Sequence, residues 1–179
     1  MSNFYITTPL YYVNDKPHIG HAYTTILADV IARHHRIMGD NVHFLTGTDE
    51  HGQKIQEAAS KRNISPKEHV DEFVIRFQDL WKKLNIKHDD FIRTTEKRHT
   101  DRVKEFLILL YEKGEIYSAE YEGLYSVSEE RFVTEKEVED GGFREIITLK
   151  EKNYFFKMSK YQQPLIDHIK NNPDFIKPQ

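Results

Sequence analysis

The sequence predicts an α/β protein: a doubly wound parallel sheet, incomplete within 179 residues, followed by a small β-rich insertion. Three observations lead there. Two apolar runs rich in aromatic and β-branched residues, 4–12 and 42–46, read as buried parallel strands. Amphipathic helical segments separate and follow them, which is the order of a doubly wound sheet. From Ile116 onward the pattern changes to extended, aromatic-rich stretches with no further βα unit.

The first run is closed by the turn-rich tetrad Asn14-Asp15-Lys16-Pro17. Ala22, Tyr23, Ile26, Leu27, Val30 and Ile31 then recur at spacings of three and four, predicting a helix with that face inward, stopped by Gly39-Asp40-Asn41. After the strand at 42–46 comes Gly47-Thr48-Asp49-Glu50-His51-Gly52 and a helix to about Arg62. Ser65-Pro66-Lys67-Glu68 is a capping box with proline in the first turn. It opens a helix whose stripe is Val70, Phe73, Val74, Phe77, Leu80, Trp81 and Leu84. A further helix over 96–113 carries Val103, Phe106, Leu107 and Leu110 inward and ends at Gly114.

Residues 116–133 read as short strands, 135–142 as an acidic loop and 144–156 as extended. Ser159-Lys160-Tyr161-Gln162 opens a last helix through Lys170, with Tyr161, Leu165, Ile166 and Ile169 inward and Pro164 delaying its start by a turn. The expected parts are therefore 1–115, the front of a catalytic domain; 116–158, the insertion; and 159–179, a helix and tail. Two strands make a short parallel sheet, so the chain reads as the front of a larger enzyme.

Charged residues make up 31% and hydrophobic ones 38%, with a formal net charge of -3, an ordinary soluble balance that does not by itself call for nucleic acid. The chain has no cysteine, which excludes internal disulfides and thiolate metal sites. The start lacks the basic region and apolar stretch of a signal peptide, and no apolar run is long enough to span a bilayer. A cytoplasmic location is expected. No GxGxxG or GxxxxGK[ST] occurs, so neither an ordinary dinucleotide site nor a P-loop is encoded.

The residues placed for chemistry sit where strands hand over to helices. His18 and His21, three apart at a helix start, share one side. Two imidazoles there can donate hydrogen bonds to phosphate oxygens as charge builds on phosphorus; the plainer reading is two helix-start histidines satisfied by solvent. Gly20 permits something flat, such as an adenine ring, to approach the backbone. Asp49, at the carboxyl end of the second strand, suits a substrate ammonium group or caps the next helix. Tyr11 and Tyr12 point to opposite faces, one to the core and one free to cover a ligand. Residues 94–99 read as a helix cap and polar first turn, with Arg93 and His99 as weaker phosphate candidates. His34 and His35 are adjacent and face different ways, and no His-x-x-x-His pair exists, so no metal site is expected.

Phe4-Tyr5-Ile6-Thr7-Thr8-Pro9-Leu10-Tyr11-Tyr12-Val13-Asn14-Asp15-Lys16-Pro17-His18-Ile19-Gly20-His21, with Phe44-Leu45-Thr46-Gly47-Thr48-Asp49-Glu50-His51-Gly52, resembles the opening of the bacterial methionyl-tRNA synthetases. The His-Ile-Gly-His tetrapeptide is shared across class I aminoacyl-tRNA synthetases and some nucleotidyltransferases. The Thr-Pro-Leu-Tyr-Tyr-Val-Asn and Thr-Gly-Thr-Asp-Glu-His-Gly runs are more specific. The similarity continues through Phe91-Ile92-Arg93-Thr94-Thr95, Tyr121-Glu122-Gly123-Leu124-Tyr125 and the stretch 153–161.

That resemblance implies a Rossmann-like parallel nucleotide-binding sheet with a connective insertion, and activation of methionine by ATP with magnesium, followed by transfer to tRNA(Met). It implies His18 and His21 at the ATP phosphates, Gly20 on the adenine side, and Leu10, Tyr12 and Asp49 around methionine. Asn14, His51, Arg93 and His99 are weaker candidates. No zinc, membrane or DNA partner is implied. Lys157-Met158-Ser159-Lys160-Tyr161 imitates the family's second ATP signature but ends in tyrosine at the exit of the insertion, so it is not read as the catalytic loop. Where many relatives carry cysteine knuckles, residues 125–132 hold serine and glutamate, the zinc-free version. The alternatives are another class I synthetase or nucleotidyltransferase, or a non-catalytic tRNA-associated homologue.

Overall fold

Residues 4–12, expected as one strand, break into β1 (Asn3–Thr7) and β2 (Tyr11–Tyr12). The reason is visible in a computed structural model of the chain, which describes residues 1–143 and 145–177. Both segments run parallel to β3 (Asn41–Asp49). Thr7 pairs with Leu45 and Tyr11 with Thr48, so four steps on one side match three on the other. The extra residue falls around Pro9, which has no N–H for the ladder. Thr8 still donates to the Leu45 carbonyl at 3.2 Å. A further parallel strand, β4 (Asp90–Arg93), was not expected. Leu45 pairs with both Thr7 and Asp90, and Thr48 with both Tyr11 and Arg93, so β4 flanks β3 opposite β1 and β2. Its only sequence signal is the pair Phe91-Ile92 between polar neighbours, too short to show a period.

Two compact units, Met1–Val103 and Lys104–Gln179, make up the chain. In the first, α1 (Ile19–Ile37), α2 (Gln53–Lys61) and α3 (Pro66–Lys83) accompany the parallel sheet. α3 matches its pattern: Ser65 and Glu68 close the capping box, and Val70, Phe73, Val74, Phe77 and Trp81 are buried. Of these, Val70, Phe73, Phe77 and Trp81 pack with Tyr11, Val13, Ala28, Ala32 and Phe44 in one core.

α1 has the expected period but turns a different face inward. Ala22, Thr25, Ala28, Asp29 and Ala32 are buried, whereas Tyr23 is 71% and Val30 57% exposed. Small residues let the helix backbone lie close to β1 and β3, and Asp29 adds a polar clamp. Its carboxylate accepts from Arg33 Nε at 2.6 Å and from the Lys87 backbone N–H at 2.8 Å. The helix stops at Gly39, whose φ of +88° a side chain would strain.

α4 (Lys97–Glu112) begins in the first unit and continues into the second. None of its residues is buried, and Val103, Phe106 and Leu107 are exposed, which corrects the inward stripe read from their spacing. Periodicity marks an apolar face; only neighbours cover it.

The second unit is built on β5 (Ile116–Ser126), β6 (Arg131–Val133) and β7 (Ile146–Phe156), antiparallel in the order β6-β5-β7. Ile116 pairs with Phe156 and Ser126 with Ile146 along an unbroken ladder. Arg144, the first residue of the expected third stretch, lies outside the described residues. The acidic stretch read as a loop contains a short helix, α5 (Glu135–Glu139), started by a Thr134/Glu137 capping box that the sequence displays as Thr-x-x-Glu. α6 (Ser159–Asn171) starts at Ser159 with Pro164 inside it, so the proline does not delay the helix. None of its residues is fully buried: Tyr161 and Leu165 are exposed, Ile166 and Ile169 half-buried. No helix among the described residues is long and apolar enough to cross a membrane.

Acid stability follows from two carboxylates. Hydrogen bonds from the Ser2 hydroxyl and from His35, then from the Ser2 backbone, hold Asp40 at about 2 against an ordinary 3.8. The Thr134 backbone N–H, then Arg131, hold Glu137 at about 2. In each case the folded chain binds its proton less readily than the unfolded chain. The stabilisation is therefore complete above the ordinary carboxylate range and is lost as the pH falls toward about 2. Urea unfolding at a series of pH values is expected to show a plateau near neutrality and a decline across that interval. An Asp40→Asn variant should flatten part of the decline.

Candidate active site

The helix start at residue 18 is built from its own two histidines. His18 Nδ1 accepts from the Gly20 backbone N–H at 3.1 Å, and His21 Nδ1 accepts from the His18 backbone N–H at 3.0 Å. This is a capping box with imidazoles in the places usually taken by a hydroxyl and a carboxylate. A nitrogen that accepts from a backbone N–H carries no proton, so each neutral ring holds its proton on Nε2. The two rings lie 3.8 Å apart between centroids and offer two Nε2–H donors at the positive end of α1. Burial, then the neighbouring His18, hold His21 below its ordinary 6.5, keeping it neutral at pH 7. Its ring is seated edge-on against Tyr11 at 4.9 Å and Phe77 at 5.2 Å.

Gly20 has a reason for its identity that the sequence did not reveal. A Cβ there would stand 2.9 Å from His18 Cε1 and 3.1 Å from Nδ1. Gly20→Ala is expected to keep the helix, alanine being the better former, while pushing the His18 ring off its cap. In side-chain ¹⁵N spectra His18 Nδ1 should lose its bare-acceptor position while His21 Nδ1 keeps it; two unchanged rings would contradict this.

Leu10, Tyr11, Tyr12, Asn14, Asp15, Lys16, His18 and His21 line a cavity of about 460 Å³. Tyr11 is the core member of its pair, its hydroxyl 2.8 Å from Thr25 Oγ1, and Tyr12 is the exposed one. Tyr12 is in register with Asp49, so both side chains leave the same face of the sheet at its carboxyl end. The structure thus gathers Leu10, Tyr12, Asn14, His18 and His21 around one cavity, with Asp49 beside Tyr12.

Asp49 does not cap α2: the residue there is Gly52, with no side-chain cap. Its carboxylate reaches only the His51 backbone N–H and Thr94 Oγ1, both at 3.4 Å. Among the described residues it has no cationic partner. Its neighbour Glu50 is the opposite case, fully buried and saturated. Oε1 accepts from Thr48 Oγ1 at 2.8 Å and Arg93 Nε at 2.7 Å, while Thr95 donates to Oε2. Arg93 Nη2 also bonds Asp71 at 2.6 Å, and Lys67 completes the cluster on Asp71. Burial opposes the Arg93 cation, but the bonds to Glu50 and Asp71 outweigh it and hold the guanidinium's affinity for its proton above the ordinary arginine value.

These contacts correct two expectations. Residues 94–95 are not a helix cap: Thr94 Oγ1 accepts the Glu50 backbone N–H at 2.8 Å, and Thr95 serves Glu50. Arg93 is committed to two carboxylates rather than turned toward a phosphate. His51 Nε2 meets the Thr94 carbonyl at 3.3 Å, and His99 sits in the first turn of α4, apart from the cavity lining. Lys160, in the stretch that imitates an ATP signature, pairs with Glu115 at the start of α6.

The comparisons with known proteins agree on one family. Residues 4–141 match the family model described as tRNA synthetases class I (M). A methionine–tRNA ligase of Listeria monocytogenes is 49% identical over 192 residues, covering 99% of this chain and 29% of that protein. One of Clostridium perfringens is 51% identical over 180 residues, covering 98% and 28%. The structure of Mycobacterium tuberculosis methionyl-tRNA synthetase in complex with methionyl-adenylate superposes with a TM-score of 0.93 at 40% identity, covering 100% of this chain and 37% of that one. The chain thus spans less than a third of the length of each of these two ligases. With a family model spanning most of its length and sequence identity running from end to end, the chain belongs to the class I tRNA synthetases of the methionine group.

Proposed function

We propose that this chain supplies the amino-terminal part of a methionine–tRNA ligase site, which joins methionine to AMP from ATP and passes the methionyl group to tRNA(Met). The observation that carries it is the juxtaposition of two fixed Nε2–H donors with an unpaired carboxylate at the carboxyl end of one parallel sheet. In this reading His18 and His21 donate to the phosphate oxygens as the methionine carboxylate attacks the α-phosphate and pyrophosphate leaves. Gly20 lies on the adenine side. Asp49 takes the methionine ammonium group. Every other carboxylate of its cluster already has a cation, so the substrate completes the charge balance. Leu10 and Tyr12 border the side chain, and Tyr12 is free to move over it. Magnesium arrives with ATP.

The insertion is read as zinc-free on the chemistry of its donors. Ser126 Oγ, fully buried, accepts the Glu129 backbone N–H at 3.2 Å and meets Ser128 Oγ at 3.1 Å. A hydroxyl thus holds the turn that a thiolate–metal knuckle would hold, and hydroxyls are poor zinc ligands.

The test is an NMR titration of the chain with non-hydrolysable methionyl-, leucyl- and isoleucyl-adenylate analogues. Saturable shifts at Tyr12, His21 and Asp49, strongest for the methionine compound, are expected. A dispersed spectrum that ignores all three, or prefers the leucyl compound, would overturn the assignment. In a full-length ligase carrying these residues, Asp49→Ala should weaken methionine binding about tenfold or more. His21→Ala should instead depress methionine-dependent ATP–pyrophosphate exchange with little change in methionine affinity. Equal methionine affinity in the Asp49 variant would sink the ammonium role.

A further inference from the structure

A second histidine arrangement, centred on α3, is not used by the function above. His69, on α3, is buried at 1% exposure, and both of its ring nitrogens are engaged. Nδ1 stands 3.2 Å from Arg62 Nη1, and Nε2 stands 3.1 Å from the Val13 carbonyl. A guanidinium only donates, so Nδ1 is the acceptor and Nε2 carries the proton that binds Val13. The ring is further held by stacking on Phe73 at 4.4 Å. Arg62 in turn is paired with Glu72. The bond to Val13 spans 56 positions of sequence and fastens a fully buried residue at the head of the turn that leads to His18.

We propose that His69 is a positioning residue for the histidine pair. It fixes the Val13 carbonyl, and through the 14–17 turn it sets where α1 begins and so where the two Nε2–H groups point. Three features favour this over a filler role. An apolar side chain would fill the same space, yet the position holds a ring whose donor and acceptor are both used. Its tautomer is imposed by a cation on a different segment, so the donor is always presented to Val13. The segment it holds has few other ties: among the hydrogen bonds described for residues 14–17, only the local Lys16 N–H to Asp15 bond occurs. A turn so loosely tied needs an anchor at its head if His18 is to be held within the tolerance that phosphate donors require.

The proposal rests on the phosphate reading of His18 and His21 only in its second arm. In the first, side-chain ¹⁵N spectra of the chain should show His69 with Nε2 protonated and Nδ1 bare, with through-bond coupling from Nε2–H to the Val13 carbonyl. An Nδ1-protonated His69 would overturn the proposal whatever any variant does. His69→Met, which fills the space but cannot donate, should move the His18 and His21 nitrogens toward averaged-tautomer positions. His69→Gln, which can both donate to Val13 and accept from Arg62, should restore them. A folded His69→Met chain with His18 and His21 at their original shifts would also overturn it.

In the second arm, on a full-length ligase carrying these residues, His69→Met should weaken ATP binding roughly tenfold while methionine affinity stays within about twofold. Equal losses for both ligands would mark His69 as merely structural. A parent enzyme in which His21→Ala leaves ATP–pyrophosphate exchange intact would instead count against the phosphate reading, leaving the first arm to decide the role of His69.

Discussion

Gly47→Ala is expected to unfold the first unit. Gly47 is paired with Ile92 in the β3–β4 ladder, and a Cβ there would lie 2.0 Å from the Ile92 carbonyl oxygen and 2.9 Å from its carbonyl carbon. Both are backbone atoms of a paired strand, so no rotamer change relieves the clash. The backbone at Gly47 is not in the left-handed region, so the glycine is present for space. Elsewhere a Gly→Ala change in ordinary backbone stabilises by about 0.4–1 kcal/mol through the unfolded chain. Here a loss beyond about 3 kcal/mol is expected, because overpacking against fixed backbone exceeds the usual cost of an added methylene. Urea unfolding followed by Trp81 fluorescence measures it, and a stabilised variant would refute the packing argument.

Removing Arg93 is the second large effect. Glu50 has no exposed side-chain surface, and Arg93 is its only cationic partner among the described residues. Arg93→Met leaves that carboxylate buried with the hydroxyls of Thr48 and Thr95 alone. Breaking a buried pair from one side costs about 3–5 kcal/mol. The double variant Arg93→Met with Glu50→Gln should recover part of the loss, because no bare charge then remains. If the double variant is no more stable than Arg93→Met, the cost lies in lost packing rather than in an uncompensated charge. Methionine-analogue binding should fail in the single variant even where it remains folded, since Thr94 and Glu50 hold the turn that carries Asp49.

Local signals carried much of this structure. Ser65-Pro66-Lys67-Glu68 names its own helix start because the bonds of a capping box close within four residues. The same rule was available at Thr134-Glu135-Lys136-Glu137, where the acidic composition concealed it. The histidine pair was legible as a pair, but not as its own cap, since imidazoles seldom take both places. Nothing near Arg93 in sequence announces that Glu50 and Asp71 claim it, because the three meet only when β3, α3 and β4 assemble.

By itself, then, the sequence determined most of the strands and helices, though not β4, α5 or the break between β1 and β2, and which family the chain joins. It also placed His18, His21 and Asp49 at strand–helix junctions. Those features depend on periodicity, caps and motifs, which act over a few residues. Tertiary structure alone decided which face of α1 is buried, how β4 completes the sheet, why residue 47 is glycine and which arginine is spent on a buried carboxylate. Each of these is a contact between residues far apart in the chain, and the free energy of such a contact resides in the partner, which no local pattern records.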